Sequence, residues 1–253
     1  MPRLRGLPGI GQESEVRRTP KTAEVVAQRV VRDVASGGLA PGDRLPNEAV
    51  MAEQYRVSRT TLREALRLLE VQGLITLKTG PGGGPVVGEV DAVNLARTIS
   101  LYFNTGGMTY GDLFATQGLL EETCADLAAR HPDRDELREA FAPFTEVGHP
   151  CSDDAYYSAT LDFHRLIHEF AGNPILVLVT RAVGHIVATH VFATMDPIFL
   201  QDPILEDHRK IARALIRGQA AQARRLTAAH YQTRAQYLRE KWPARFDESV
   251  EWR

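Results

Sequence analysis

The chain has 253 residues, of which 43% are hydrophobic and 25% are charged, and its formal net charge is −2. This composition is typical of a soluble globular protein and excludes disorder over the whole length, while the length favours two domains of ordinary size. No uninterrupted apolar run approaches the roughly 18 residues of a membrane span, and no signal peptide is evident. We therefore expect a cytoplasmic protein. The two cysteines agree with a reducing compartment, since they lack ligand-like spacing and cannot form a disulfide framework.

The charge is unevenly distributed along the chain. Residues 1–90 carry 13 Lys and Arg against 10 Asp and Glu, whereas the remainder carries 17 against 22. An anionic partner would therefore meet the N-terminal part. Residues 1–20 are rich in Arg, Gly and Pro and lack periodicity, which predicts a flexible arm.

Residues 21–88 show the pattern of three short helices followed by a hairpin. Apolar residues recur at helical spacing over 21–36, a second helix is predicted over 47–55 with Asn47 as its cap, and a third runs from the candidate cap Ser58 to a stop at Gly73. Two β-prone pieces, LITLK and PVVGEV, then flank the Gly-rich stretch TGPGGG. This order predicts a winged helix-turn-helix.

The third predicted helix carries a row of arginines on the side opposite its Leu and Ala face. The row consists of Arg59, Arg63 and Arg67, spaced four apart. It begins at the helix N-terminus, beside the hydroxyls of Ser58, Thr60 and Thr61 and the amides of the first turn. Because these groups can donate to phosphates and base edges, the pattern favours DNA binding over a merely solvated face.

The stretch GGLAPGDRLPNEAVMAEQYRVSRTTLREALRLLEVQGLITLKTGPGGGPVV resembles the DNA-binding domain of the GntR family of bacterial transcription regulators. The PGDRLP turn, the VSRTTLREAL recognition helix, the passage L-E-x-x-G-L-I and the Gly-rich wing tip all stand at the family's spacing over about residues 21–88. The resemblance implies DNA contacts from the turn before the second helix, from the recognition helix and from the wing. The residues implicated are Arg44, Arg59, Thr60, Thr61, Arg63 and Gly80.

From residue 91 onward strand signals disappear and helical periodicity continues to residue 241. The predicted fold class is therefore mainly α, an N-terminal winged helix-turn-helix followed by an all-α bundle over 91–241. The seven predicted helices cover 91–103, 110–130, 133–146, 153–171, 174–194, 204–217 and 219–241, and 242–253 is left as a C-terminal tail. The sequence has no Gly-rich phosphate loop, no GxSxG motif and no recognisable pair of catalytic carboxylates, so we do not expect an enzyme.

Three of the eight histidines, His164, His208 and His230, stand in the middle of three different predicted helices. Neutral imidazoles from separate helices of one bundle can converge on a transition metal, but spacing alone does not establish convergence. The stretches D-F-H-R-L-I-H-E-F-A-G-N-P, E-D-H-R-K-I and A-A-H-Y resemble the ligand-binding domain of the FadR subfamily of GntR regulators over about residues 91–240. The resemblance implies that these three histidines hold a divalent metal such as Zn or Ni, and that a small carboxylate effector binds against it.

One position departs from the subfamily's metal site. Thr160 stands where an Asp is usual, one turn before His164, and Asp162 points about 160° away around the helix. We therefore expect a three-histidine site with a position left to water or effector and with an altered metal preference. The alternative is a pocket that binds no metal.

A second departure concerns recognition of the effector. Gln117 stands where relatives often have an Arg that grips an acid group, and Gln offers only a neutral hydrogen bond. Either the effector is less acidic, or another arginine such as Arg165 or Arg181 takes over. His168, which has no partner in the family pattern, is expected to line the pocket, so the predicted effector residues are Gln117, Thr160, Arg165 and His168.

Together these features predict a dimeric bacterial regulator that binds a palindromic operator and senses a small organic acid. Control by repression that the effector relieves is the preferred interpretation. The alternatives are the same regulator with a metal-free pocket, or a three-His metalloenzyme fused to a DNA-binding module, for which the sequence offers no clear base or nucleophile.

Overall fold

The computed structural model describes residues 21–80, 83–89, 91–145, 153–192 and 201–253. The chain divides between Asn94 and Leu95 into two compact units, each with its own hydrophobic core. The arm predicted over residues 1–20 lies outside the described residues.

The N-terminal unit consists of three helices and a two-stranded antiparallel sheet, which confirms the predicted winged helix-turn-helix. Its elements are α1 (Thr22–Ser36), α2 (Glu48–Tyr55), α3 (Arg59–Val71), β1 (Ile75–Lys78) and β2 (Gly84–Val87). In the sheet Ile75 pairs with Val87 and Lys78 pairs with Gly84. The hairpin therefore closes next to the Gly-rich tip.

Side-chain caps define where α2 and α3 begin. The Asn47 side chain accepts hydrogen bonds from the amides of Ala49 and Val50, each at 3.0 Å, and Ser58 Oγ accepts from the Thr61 amide at 3.1 Å. Between the two helices Arg56 adopts the left-handed conformation, with φ at 56°. This conformation ends α2 within one residue and allows α3 to start at a sharp angle after a very short turn.

The buried face of α3 holds the N-terminal unit together. Leu62, Ala65 and Leu66 are fully buried and pack against α1, whose Val26 and Val30 are also buried. Burying a large aliphatic side chain stabilises the fold by about 1.5–3 kcal/mol. Because these residues fix the inward face of α3, the arginine row is held on the outward face.

The C-terminal unit is an all-helical bundle, as predicted. Its helices are α4 (Ala92–Thr105), α5 (Tyr110–Ala128), α6 (Arg134–Phe141), α7 (Asp153–Phe170), α8 (Pro174–Val187), α9 (Gln201–Ile216), α10 (Ala220–Lys241) and α11 (Pro243–Asp247). Helix α5 packs against α7, α8 and α10, and α9 packs against α10. The side chains that face each other across these contacts form the core of the bundle.

Several helix boundaries differ from the sequence prediction. Helix α6 ends at Phe141 and continues as a short 3₁₀ turn, because Pro143 cannot donate a backbone hydrogen bond within an α-helix. Helix α9 begins at Gln201, earlier than predicted, since Pro203 falls in the first turn where proline is tolerated. Residues 188–192 form a π-helical turn after α8. Residues 242–253, predicted as a tail, contain α11 and the buried Val250.

Helix α8 is the most apolar helix of the bundle. Among the described residues one stretch, Pro174–Val191, is long and apolar enough to cross a membrane by length and composition, with a mean hydropathy of 1.5, and 39% of it is buried. Its buried side chains, Ala182 and Ile186 among them, lie in a helix that packs against α5. A helix that packs within a helical bundle can reach the same length and hydropathy.

Candidate DNA interface and metal centre

The first turn of α3 presents the predicted DNA-contacting residues in an exposed position. Arg59 and Thr60 are exposed, as are Arg63 and Arg67 further along the same side of the helix. The backbone amides at a helix N-terminus carry partial positive charge and attract phosphate. The arrangement is therefore suited to a helix that enters the major groove with its N-terminal end first.

Among the predicted contact residues, Arg63, Ser58 and Thr61 already have partners within the chain. Arg63 Nε lies 2.7 Å from Glu48 Oε2 in an exposed ion pair, and Ser58 Oγ lies 2.9 Å from Thr61 Oγ1. The second pair caps α3, so these hydroxyls position the helix in addition to any contact they make with DNA. Exposed ion pairs contribute little stability, so Arg63 can exchange Glu48 for a phosphate at small cost.

Arg44 and Gly80 are two further predicted DNA-contacting residues, and both lie at or beside the hairpin of the N-terminal unit. Arg44 is exposed and forms an isolated antiparallel bridge with Val86, which attaches the turn before α2 to the hairpin. Gly80 has φ at 96°, a conformation that side chains rarely adopt, and a Cβ at Gly83 would collide with the Lys78 carbonyl. The tip therefore requires glycine at both positions.

In the C-terminal unit the three predicted metal ligands converge. His164 from α7, His208 from α9 and His230 from α10 each offer a nitrogen, and these nitrogens all lie within 4.8 Å of one another. The Nε2 atom of each ring is buried and has no hydrogen-bond partner. A buried nitrogen without a partner costs about 1–3 kcal/mol, so three that face one point fit a group that binds all of them.

The chemistry and spacing of the three rings fit a divalent transition metal. Ring centroids are separated by 5.1 Å between His164 and His208, by 5.0 Å between His208 and His230, and by 5.8 Å between His164 and His230. Tetrahedral coordination at about 2.1 Å places nitrogens roughly 3.4 Å apart, so a metal would draw the rings inward by less than about 1 Å each.

Burial keeps the three imidazoles neutral. It lowers the pKa of His164, lowers that of His208 well below the usual value, and lowers that of His230 to about 4. Hydrogen bonding to Asp207 opposes the shift in His230 without reversing it. At neutral pH each ring therefore keeps a lone pair for a metal.

Two carboxylates orient the ligand rings. The Asp207 carboxylate accepts from His230 Nδ1 at 3.3 Å, which leaves Nε2 to face the cluster. Glu121 Oε2 lies 3.6 Å from His164 Nδ1, and the Tyr231 hydroxyl lies 3.4 Å from the same nitrogen. Such partners fix the tautomer and direction of a metal-ligating histidine.

His168 lies one helical turn after His164 on α7. Its Nε2 donates to Glu121 Oε2 at 3.1 Å, and both residues are buried. Burial alone would raise the pKa of Glu121, but the hydrogen-bonding interactions with His164 and then His168 outweigh it and hold this pKa well below its usual range. His168 therefore supports the site through Glu121.

The remaining predicted effector residues fall in different places. Thr160 Oγ1, one turn before His164 on α7, is buried without a hydrogen-bond partner, like the three Nε2 atoms. Gln117 is buried one turn before Glu121 on α5, and its amide points toward Gly184 of α8. The structure does not bring Arg165 to the cluster.

Arg165 is about half exposed and pairs with Asp162 and Glu169 on the outer face of α7. It follows His164 directly, which turns it by about 100° away from the ligand face. Arg181, the other arginine considered, is also exposed.

Sequence reasoning missed four residues around the cluster: Glu121, Asp207, Tyr231 and Arg234. Two of them could have been found, because Asp207 and Tyr231 adjoin metal-ligand candidates in the chain. Glu121 had only a weaker signal, since it is one of four acids on α5 and only its helical spacing from Cys124 and Ala125 places it on the face with apolar residues. Arg234, one turn after His230, had the signal of helical spacing.

A winged helix-turn-helix with an exposed cationic recognition helix, followed by an all-helical unit with a buried ligand cluster, defines a DNA-binding regulator with an effector domain. Residues 22–83 match the family described as "Bacterial regulatory proteins, gntR family", and residues 112–233 match the "FCD domain". The chain belongs to the GntR family of bacterial transcription regulators and carries an FCD domain, consistent with the FadR-type subfamily.

Relatives of this chain share most of its length. It is 30% identical over 194 residues to the uncharacterized HTH-type transcriptional regulator YcbG of Bacillus subtilis, covering 76% of this chain and 79% of that protein. It is 27% identical over 219 residues to the Uxu operon regulator of Haemophilus influenzae, covering 83% and 79%. The solved structure of Streptococcus agalactiae GntR shares the fold, with a TM-score of 0.65 at 20% identity over 85% of this chain and 99% of that one.

Proposed function

We propose that this protein is a cytoplasmic, dimeric repressor that binds a palindromic operator and is released from it by a small organic acid. The exposed N-terminal turn of α3, with Arg59 and Thr60, supports the DNA-binding half of the proposal. In a twofold dimer the two recognition helices read half-sites about one helical turn apart, roughly 34–36 Å, which makes the operator palindromic.

The sensing half rests on one observation, the three buried Nε2 atoms of His164, His208 and His230 without hydrogen-bond partners. These histidines would hold a divalent metal such as Zn or Ni, which acts as a Lewis acid toward a carboxylate oxygen. Thr160 and His168 lie beside the same cluster, Thr160 with a buried hydroxyl and His168 through Glu121.

The effector would act by changing the relative stability of two dimer arrangements. It shifts DNA affinity only in so far as it binds these arrangements differently. Coupling energies of this kind are typically about 1–3 kcal/mol, which corresponds to roughly 5- to 150-fold in operator affinity.

The second candidate function is the same regulator with a pocket that binds no metal. Thr160 favours it, because a hydroxyl in the place of a carboxylate reduces the negative charge that would attract a cation. A metalloenzyme would in addition need a base beside the metal. Since family membership assigns the chain to transcription regulators, the proposed role is regulatory.

The experiment combines metal analysis with operator binding. Protein purified without a His tag is analysed for bound metal as wild type, as His208→Gln and as the control His131→Gln, which removes a half-exposed histidine outside the cluster. We expect about one metal per chain in wild type and control and none in His208→Gln. Light scattering gives the oligomeric state, and fluorescence anisotropy on the promoter-proximal DNA measures operator release by organic acids.

The outcomes separate the candidates. Equal metal content in His208→Gln and wild type contradicts the three-histidine assignment. Metal-free wild type that still releases DNA with an organic acid supports the metal-free pocket. A monomer that binds the operator tightly overturns the dimeric mechanism.

A further inference from the structure

Glu48 forms an ion pair with the middle arginine of the row on α3. Arg63 Nε donates to Glu48 Oε2 at 2.7 Å, although the two residues are 15 positions apart and lie on different helices. The side chain of Glu48 is 32% exposed and that of Arg63 is 67% exposed. In the part of the chain that the structure describes, Arg59 and Arg67 have no such acidic partner. The contact therefore distinguishes Arg63 from its two neighbours in the row.

Both residues of this ion pair are attached to well-packed backbone. Glu48 is the first residue of α2, where the helix dipole stabilises a carboxylate. Met51 and Ala52, on the next turn of α2, are buried, and so is Leu62, which precedes Arg63 on α3. Because the core fixes the backbone on both sides, Glu48 can hold the Arg63 guanidinium in one orientation.

The atom that Glu48 contacts determines which edge of the guanidinium remains available. A guanidinium has five N–H donors, one on Nε and two on each Nη. Glu48 accepts from Nε, so the donors on Nη1 and Nη2 remain at the end of the side chain. Two parallel donors of this kind match the O6 and N7 acceptors of guanine in the major groove. Arg63 can therefore present this pair of donors without leaving Glu48.

The charge of the ion pair favours contact with a base edge over contact with a phosphate. A carboxylate 2.7 Å from the guanidinium makes the pair neutral overall, and a neutral group gains little from the charge of the DNA backbone. The ion pair keeps the direction of its free donors. Direction is what the readout of a base requires, whereas phosphate contacts carry no sequence information.

We infer that Glu48 is a positioning residue for sequence readout, which keeps its bond to Arg63 Nε on the operator and directs Nη1 and Nη2 to a guanine in each half-site. This inference rests on the proposed function, which places α3 in the major groove. It adds the base that Arg63 selects and the residue on α2 that supports the selection. The alternative is that Arg63 exchanges Glu48 for a phosphate, and the two differ in what removal of the carboxylate does to sequence preference.

The test compares sequence preference with salt dependence. Full-length wild type, Arg63→Gln, Glu48→Ala and Glu48→Gln each select binding sites from a library of random-sequence duplex DNA. Anisotropy titrations at several salt concentrations then give the affinities for selected duplexes, for the same duplexes with single base changes, and for an unselected duplex. Glu53→Ala is the matched control, because Glu53 is an exposed acid on the same helix. Hydrogen exchange of the α2 amides shows whether each variant keeps this helix.

We expect wild type and Glu53→Ala to select a guanine at one position of each half-site. Arg63→Gln should lose roughly 5- to 150-fold of the discrimination for that guanine, with a change in the salt slope well below about 1. Glu48→Ala should lose most of this discrimination and bind the unselected duplex more tightly, because the charge of Arg63 is then uncompensated. Glu48→Gln should keep part of it, since its amide oxygen still accepts from Nε with a bond about half as strong.

Two results would overturn the inference and leave the proposed function intact. If Glu48→Ala binds every duplex more tightly and keeps the preference of wild type, the carboxylate only competes with phosphate. If Arg63→Gln keeps the preference and lowers the salt slope by about 1, Arg63 is a phosphate contact. In either case a palindromic site selected by wild type still supports the proposed function.

The remaining outcomes are also decisive. If Glu48→Ala loses the protection of its α2 amides, Glu48→Gln and Arg63→Gln decide between the two explanations. If wild type selects no sequence, the proposed DNA recognition fails and the inference fails with it.

Discussion

Acidification should destabilise the metal-free helical bundle well above the pH at which carboxylates titrate. The pKa of His230 is about 4 in the folded protein against 6.5 for the free side chain, and the residue is 1% exposed. Below pH 6.5 the unfolded chain therefore binds a proton that the folded chain does not. The free energy of unfolding is fully retained above pH 6.5 and falls as the pH decreases toward 4. For His230 alone the loss is about 2 kcal/mol by pH 5.

The bundle supplies its own probe for this measurement. The two tryptophans of the chain, Trp242 and Trp252, both lie in the C-terminal unit, so urea unfolding followed by tryptophan fluorescence reports that unit alone. Chelator-treated wild type should lose at least about 2 kcal/mol between pH 7 and 5, since His164 and His208 shift in the same direction.

The comparison variants isolate the contribution of the buried ring. His230→Gln should lose correspondingly less stability over this pH range than wild type, and His131→Gln should follow wild type. A flat stability profile in wild type, or an equal slope in His230→Gln, would refute the reasoning that burial keeps this imidazole neutral.

Three further predictions concern other parts of the molecule. Arg59→Ala should weaken operator binding and reduce the slope of log affinity against log salt concentration by about 1, while Arg67→Ala should have a smaller effect. If an anisotropy titration gives Arg59→Ala the same salt slope as wild type, Arg59 does not contact the DNA. Gly73→Ala should destabilise the N-terminal unit by more than about 1 kcal/mol, because φ at this residue is 76° and the new Cβ would collide with Asn94. Gly38→Ala is the control, since φ there is 63° but the space around the new Cβ is open. Hydrogen exchange of the α3 amides should therefore be faster in Gly73→Ala than in Gly38→Ala. Thr160→Asp should tighten metal binding, and calorimetry that finds unchanged affinity would place residue 160 outside the coordination sphere.

The N-terminal fold could be predicted because its signals are local. Asn47 and Ser58 cap helices in the structure as their residue types indicate, and the apolar spacing of α3 matches its buried face. The end of α6 could not be predicted from helical periodicity. The periodicity of the sequence continues beyond the helix, but the effect of Pro143 on the backbone ends α6 at Phe141.

The ligand cluster could be predicted only in part. Mid-helix positions on three helices made convergence of the three histidines possible, but the tertiary packing of α7, α9 and α10 decides whether the nitrogens meet. The groups that orient them lie far away in the chain. Glu121 is 43 residues from His164 and reaches it only because α5 packs against α7.

Thr160 links the metal and effector halves of the proposed mechanism. With three neutral histidines as the protein ligands and the Thr160 hydroxyl in the place of a carboxylate, a bound dication would keep its whole formal charge, whereas an Asp would neutralise part of it. An effector carboxylate would then supply the anionic ligand of the metal. Metal and acid should therefore bind cooperatively, each raising the affinity of the other by the same factor.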